Sequence, residues 1–154
     1  HMTTIMVTHN KDEALSMSDK IALMDEGRII QSGSPEDIYE NPVSYKVAEY
    51  FGDASFFEGT VGKGKFRSPE FMVECSLEEG EYMMMVRNDA VEPTEGDDFE
   101  FVQRIYTGKE KEYIYQHCVT GSKIRCRNNG KKTDSLPAKT SFRFKSEKLR
   151  YYKI

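Results

Sequence analysis

Ile5-Met6-Val7-Thr8-His9-Asn10-Lys11-Asp12-Glu13-Ala14 changes from one kind of local structure to another within a few residues. The apolar run at 3–7 reads as a buried strand of a parallel sheet, whose covered faces favour near-continuous hydrophobic sequence. Asn10 then stands as a helix cap, with Asp12 and Glu13 in the electropositive first turn, which predicts a helix to about Met17. Strand, loop and helix in that order put His9 at a strand's C-terminal tip, where open α/β sheets bind ligands. A histidine alone at such a tip is commonly a hydrogen-bonded rim or core residue. His9 therefore takes its weight from the residues C-terminal to it.

Residues 21–24 and 28–31 flank Asp25-Glu26-Gly27 and predict a hairpin. Ser34-Pro35-Glu36-Asp37 supplies a capping hydroxyl, a proline at the first helical position and acidic residues behind it, so a short helix to Tyr39 or Glu40 is expected. Asn41-Pro42 repeats the device and predicts a second helix with Val43, Val47, Tyr50 and Phe51 on one face, ended by Gly52. Beyond Gly52 the spacing becomes alternating. Runs at 56–61, 71–75, 82–86, 99–107, 112–119, 123–127, 140–145 and 150–154, separated by Gly, Asn and Pro, predict short strands of a closed or nearly closed barrel. Ile124 and Cys126 oppose Lys123, Arg125 and Arg127, and Phe142 and Phe144 oppose Arg143 and Lys145. The natural boundary is a linker at 52–55.

Charged residues make up 31 % of the 154-residue chain and hydrophobic ones 38 %, within the ordinary globular range. No apolar run approaches the ~20 residues that span a bilayer, and no signal-peptide pattern occurs. Cys75, Cys118 and Cys126 are odd in number and lack Cys-x-x-Cys spacing, so buried thiols are expected rather than a disulfide framework or zinc site. The net charge of -4 hides a division. Residues 1–100 hold 8 Lys+Arg against 22 Asp+Glu, and residues 101–154 hold 14 against 4. Alternation of the later basic residues with apolar ones favours two halves that interleave and neutralise each other over a nucleic-acid face.

The Thr-His-Asn-x-x-Glu-Ala run, Asp19-Lys20-Ile21, Asp25-Glu26-Gly27 and the Gln31-x-Gly33-x-Pro35-x-x-Ile38-Tyr39-x-x-Pro42 stretch occur together and in order across residues 5–52. This region resembles the tail of the nucleotide-binding domain of ATP-binding cassette (ABC) importer ATPases of the maltose, polyamine and ferric-iron type. Asn10 stands where that family usually has Asp. The resemblance implies that His9 is the switch histidine, a catalytic residue that reaches the ATP γ-phosphate in the intact protein. A second, looser resemblance lies in Val86-Arg87-Asn88-Asp89-Ala90-Val91, in Val102 with Tyr106-Thr107-Gly108-Lys109-Glu110, and in Ser146-Glu147-Lys148-Leu149-Arg150-Tyr151-Tyr152. These are similar to motifs of the transport-associated OB-type (TOBE) domain that follows the ATPase core, although Asn88, Asp89 and Ser146 replace that domain's Pro, Glu and Pro.

The two resemblances imply a mainly β fold: an OB-like barrel at 53–154, preceded by a small α/β remnant of a nucleotide-binding domain at 3–52. His1-Met2 reads as a cloning scar. No phosphate-cradling Gly-x-x-x-x-Gly-Lys-(Ser/Thr) loop, no Leu-Ser-Gly-Gly signature and no apolar strand ending in Asp-Glu is present, so the chain by itself is expected to be inactive. The parent would use ATP and Mg, whereas this piece is expected to hold no cofactor and no metal. The implied partners are transmembrane permease subunits, a second copy of the ATPase subunit and, indirectly, an extracytoplasmic solute-binding protein. The implied place is the cytoplasmic face of the membrane.

Other candidates read more plainly. Glu13 is expected to support the helix N-terminus. His117, sharing a face with Tyr113, Tyr115 and Val119, has no second ligand at metal spacing and is expected to pack. Met83-Met84-Met85 is expected to pack as well, because consecutive strand residues face opposite ways. The alternative function is a free-standing OB-type module binding single-stranded nucleic acid or a small ligand, with Tyr113, Tyr115, Lys123, Arg125 and Arg127 as its face.

Overall fold

In the computed structural model the described residues are 2–52, 54–106, 108, 110–127 and 137–154. Asp53 of the expected linker, with Thr107 and Lys109 of the second resemblance, lies outside them. The molecule is mostly β, at 51 % strand and 16 % helix, and divides into two compact units, residues 1–52 and 53–154.

The first unit departs from expectation at its start. Residues 3–7 form no strand: Ile5 and Val7 are 88 % and 91 % exposed. Among the described residues nothing pairs with them, and an extended segment without neighbours does not offset its ordering entropy. Helix α1 (Lys11–Met17) comes next as its cap dictates, with Asn10 Oδ1 accepting from the Asp12 and Glu13 amides. Strands β1 (Ile21–Asp25) and β2 (Arg28–Gly33) pair antiparallel around a turn whose central residues, Glu26 and Gly27, have φ of 46° and 76°. Positive φ at both positions matches the right-handed twist of a tight hairpin, and glycine adopts it without a Cβ penalty.

Helix α2 (Pro35–Glu40) is capped by the Ser34 hydroxyl, which accepts from Asp37 N. Asn41, expected to start the next helix, instead closes this one, its amide donating to Asp37 O at 2.9 Å. Helix α3 (Tyr45–Tyr50) begins later, capped by Ser44. The delay is caused by a side chain from β2. Gln31 is buried, its Nε2 donates to Asn41 O (3.0 Å), and its Oε1 accepts from Val43 N (2.9 Å). Both linker groups are thereby held out of helical geometry. Val47 and Phe51 reach the unit's core with Ile21 and Ile38, but Val43 and Tyr50 stay largely exposed, correcting the expected helix face.

The second unit holds nine strands among the described residues, in two open sheets around one core. The five-stranded sheet has the order β11 (Arg150–Lys153), β6 (Gly80–Arg87), β3 (Ala54–Gly62), β4 (Lys65–Arg67), β5 (Met72–Glu74). The four-stranded sheet has the order β10 (Lys139–Phe144), β7 (Val91–Tyr106), β8 (Lys111–His117), β9 (Lys123–Arg127). In place of the expected closed or nearly closed barrel the strands form two open sheets, the chain changing sheets at the turn 88–90 and again at the 3-10 turn Ser146–Lys148. Strand β4 and the first half of β7 escape sequence reading. Pro93, Gly96 and a run of acidic residues interrupt the alternation in β7, and residues 95–98 loop out of its register with β10.

Phe57, Val61, Phe66, Met84, Val86, Phe99, Tyr113, Tyr115, Ile124 and Cys126 fill the shared core. Met84 and Met85 are both fully buried although they face opposite ways, so the methionine run packs. The cysteine expectation holds for Cys126 alone: Cys75 is half-buried and Cys118 exposed. Lys145 pairs with Glu92, Lys148 with Asp89 and Lys153 with Glu78, so later basic residues do neutralise earlier acidic ones.

Candidate functional site

His9 sits on an exposed bend directly before the α1 cap. Its surroundings are built locally. Thr8 Oγ1 donates to Glu13 Oε2 (2.8 Å) and accepts from Asn10 N (3.0 Å), while Asn10 Oδ1 serves the next two free amides. Thr8, Asn10 and Glu13 thus form a reciprocal cap that fixes the backbone on both sides of His9 to the first turn of α1. Glu13 supports the helix terminus, as its position implied. The imidazole itself is exposed, and among the described residues it has no hydrogen-bond partner, so both ring nitrogens can meet an incoming group.

The rest of the first run of motif residues is structural. Gln31 binds the α2–α3 linker, Ser34 caps, and Pro35 takes the first helical position, where its missing N–H costs nothing. Gly33 lies against the end of the Asp37 side chain: a Cβ there would stand 2.6 Å from Asp37 Oδ2, and that exposed carboxylate would have to swing aside. Lys11, two residues after His9, donates from Nζ to Phe51 O at 2.8 Å, the C-cap carbonyl of α3.

The alternative face does not assemble. Tyr113 and Tyr115 are 2 % and 0 % exposed within the core, and burial pushes the Tyr115 phenol up to about 12. Tyr115 Oη donates to Pro137 O (3.1 Å). Arg125 and Arg127 are half-buried and paired with Glu112 and Glu110. Lys123 alone of that set is exposed. His117 packs as expected, edge-on to Phe99 at 5.0 Å, its Nδ1 accepting from Thr120 N at 3.2 Å. Val119, placed on the same face by sequence, is 87 % exposed because the strand has already turned.

Two polar clusters in the second unit escape sequence reasoning. Asn88 Nδ2 donates to the buried Glu112 Oε1 at 2.6 Å, and Arg125 reaches the other carboxylate oxygen at 3.4 Å. A proline at 88 has no donor for this contact. Glu70 Oε1 accepts from the hydroxyls of Thr120 (2.9 Å) and Ser122 (2.6 Å), pinning the segment before β5 to the β8–β9 turn. Partial burial pushes the Glu70 carboxyl up, but hydrogen bonds from Ser122, Ser68 and Thr120 outweigh it and hold the group below its ordinary value. Each cluster joins residues 13 to 52 positions apart, and no local pattern marks such a pairing. Cys126 is fully buried near Glu112, and burial first, then the Glu112 charge, push its thiol up to about 12.

The chain's homologues are ATP-binding subunits of ABC importers, each matching only part of it. It is 48 % identical over 64 residues to a sulfate/thiosulfate import ATP-binding protein of Bacillus cereus, covering 42 % of this chain and 18 % of that one. It is 57 % identical over 60 residues to a spermidine/putrescine import ATP-binding protein of Trichodesmium erythraeum, covering 39 % and 16 %. A third match, 34 % identical over 97 residues, is an Fe(3+) ions import ATP-binding protein of Photobacterium profundum, covering 59 % and 28 %. The chain therefore spans less than a third of the length of each of these relatives. No family model matches it. No helix among the described residues is long and apolar enough to cross a membrane.

Proposed function

We propose that this chain is the C-terminal part of the ATP-binding subunit of an ABC importer. Residues 3–52 end the nucleotide-binding domain and residues 53–154 form its transport-associated OB-type domain, with a regulatory and dimer-holding role. One observation carries the reading: in a chain whose homologues are import ATP-binding proteins, the Thr8–Asn10–Glu13 cap holds the backbone around an exposed, unengaged His9. In the intact subunit, an imidazole N–H donates to a terminal phosphate oxygen, a charge-assisted hydrogen bond that exists only while the γ-phosphate is present. That difference between the two nucleotide states is what lets a histidine couple hydrolysis to subunit closure. ATP and Mg belong to the intact subunit, with its second copy and the permease as partners on the cytoplasmic face of the membrane.

The test is His9→Ala in the full-length subunit. ATP-driven import falls to near background while ATP binding is largely kept, because the phosphate-binding loop supplies most phosphate contacts. Unchanged import removes His9 from the mechanism. The 154-residue chain alone shows no ATP turnover, and micromolar ATP affinity by calorimetry overturns the assignment.

A further inference from the structure

We propose that Lys11 is the positioning residue for His9, acting through a tether to the end of helix α3; this rests on the reading of His9 as the γ-phosphate contact. Among the described residues, helix α1 is the one helix of the first unit with no buried residue. It has seven residues, and only Ala14 and Leu15 pack partly against the core. An isolated helix of that length is far below the span that holds together in water. The reciprocal cap makes Thr8, His9, Asn10 and the first turn of α1 one rigid piece, yet that cap is entirely internal to the piece. It fixes the conformation around His9 and leaves the position of the piece open.

Placement comes from Lys11. Its ammonium donates to Phe51 O across 40 residues of sequence, in a part-buried contact of 2.8 Å. The acceptor is well chosen for rigidity. Phe51 is 2 % exposed and packs with Ile21, Ile38 and Val47, so its carbonyl is fixed to the unit's core. It is also the C-cap of α3, a helix with no basic residue in its own last turn. A cation at a helix C-terminus meets the electronegative end of the helix dipole as well as a free carbonyl. Gly52 completes the arrangement: its φ of +76° ends the helix, and a Cβ there would stand 2.8 Å from Lys11 Nζ. The bare glycine leaves room for the ammonium.

A tether of this kind acts on turnover more than on nucleotide affinity. The phosphate loop of the intact subunit binds ATP whatever the position of α1, whereas a hydrogen bond from His9 tolerates little misplacement. The experiment compares Lys11→Met, Lys11→Arg and His9→Ala in the full-length subunit, with kcat and KM for ATP measured separately. Lys11→Met is expected to lower kcat about tenfold with KM changed less than twofold, and Lys11→Arg, which still donates to a carbonyl, to restore most of the loss. Hydrogen exchange on the 154-residue chain guards against a folding defect. In Lys11→Met the Ala14 amide, bonded to Asn10 O, should exchange several-fold faster while the Ala48 amide keeps its protection. Unchanged kcat in Lys11→Met, with His9→Ala inactive, overturns the tether and leaves the His9 reading standing. A fully active His9→Ala overturns the reading on which the tether rests. Equal losses of kcat in Lys11→Met and Lys11→Arg also overturn it, since a donor to Phe51 O would then be irrelevant.

Discussion

Gln31→Met tests the account of the α2–α3 linker. Methionine keeps the length and volume of glutamine, so no cavity opens, but both of the side chain's hydrogen bonds to the linker backbone vanish. Two neutral hydrogen bonds are worth about 1 kcal/mol each. The Asn41 carbonyl and Val43 amide are then left without these partners in a part-buried setting, which adds roughly another 1 kcal/mol. Apolar burial of the thioether in place of the amide offsets about 1 kcal/mol of this. The net loss is about 2 kcal/mol, and it falls on the segment that delivers Val47 and Phe51 to the core. Native-state hydrogen exchange is the assay. The Ala48 amide, bonded to Ser44 O, should lose about thirtyfold in protection, while the Arg127 amide in the second unit, bonded to Asn88 O, is unaffected. A loss below threefold at Ala48 would show that Gln31 is a spectator, and that another feature delays the start of α3.

Gly59→Ala should destabilise the second unit by about 2–3 kcal/mol in urea melts, because the new Cβ would lie 2.3 Å from Arg67 O and force β3 and β4 apart; an unchanged midpoint refutes this. Asn88→Ala leaves the buried Glu112 carboxylate without its shortest donor and should cost about 2 kcal/mol by the same measurement, with wild-type stability as the refuting result. Glu70 has a folded value depressed below its ordinary 4.5, so its stabilising effect is complete above that pH and disappears as pH falls through the lower folded value. Glu70→Gln should therefore flatten the loss of stability between pH 5 and pH 3 and leave the slope above pH 6 unchanged; an identical acid limb contradicts the hydrogen-bond cause. Finally, Ile5, Val7, Met17, Met24 and Ile29 are all more than half exposed on a 52-residue unit, so the chain should dimerise at high concentration through this unit. Light scattering on the whole chain and on one beginning at Ala54 decides it: a dimer that survives the cut places the contact in the β unit instead, and a monomer throughout removes both.

Signals confined to a few neighbouring residues are legible without coordinates. Asn10 and Ser34 name their helices because a side-chain oxygen two or three residues from a free amide is a purely local device, and Glu26-Gly27 names its hairpin because backbone sterics favour glycine where φ is positive. The alternation of Ile124 and Cys126 against Lys123, Arg125 and Arg127 likewise comes from strand geometry. His9 differs: the strand expected to carry it at its tip does not form, and its candidacy rests on the motif residues that follow it. What the sequence leaves open depends on partners far along the chain. Residues 3–7 carry the pattern of an interior strand and form none, since a strand exists only where something pairs with it. Tyr113 and Tyr115 are equally fit for a binding face or a core, and the packing of two sheets sends them inward. Gln31, Glu70, Asn88 and Lys11 are ordinary polar residues in sequence. Each acquires its role when folding brings a backbone carbonyl, an amide or a carboxylate from 10 to 52 residues away within hydrogen-bonding distance, which no local periodicity encodes.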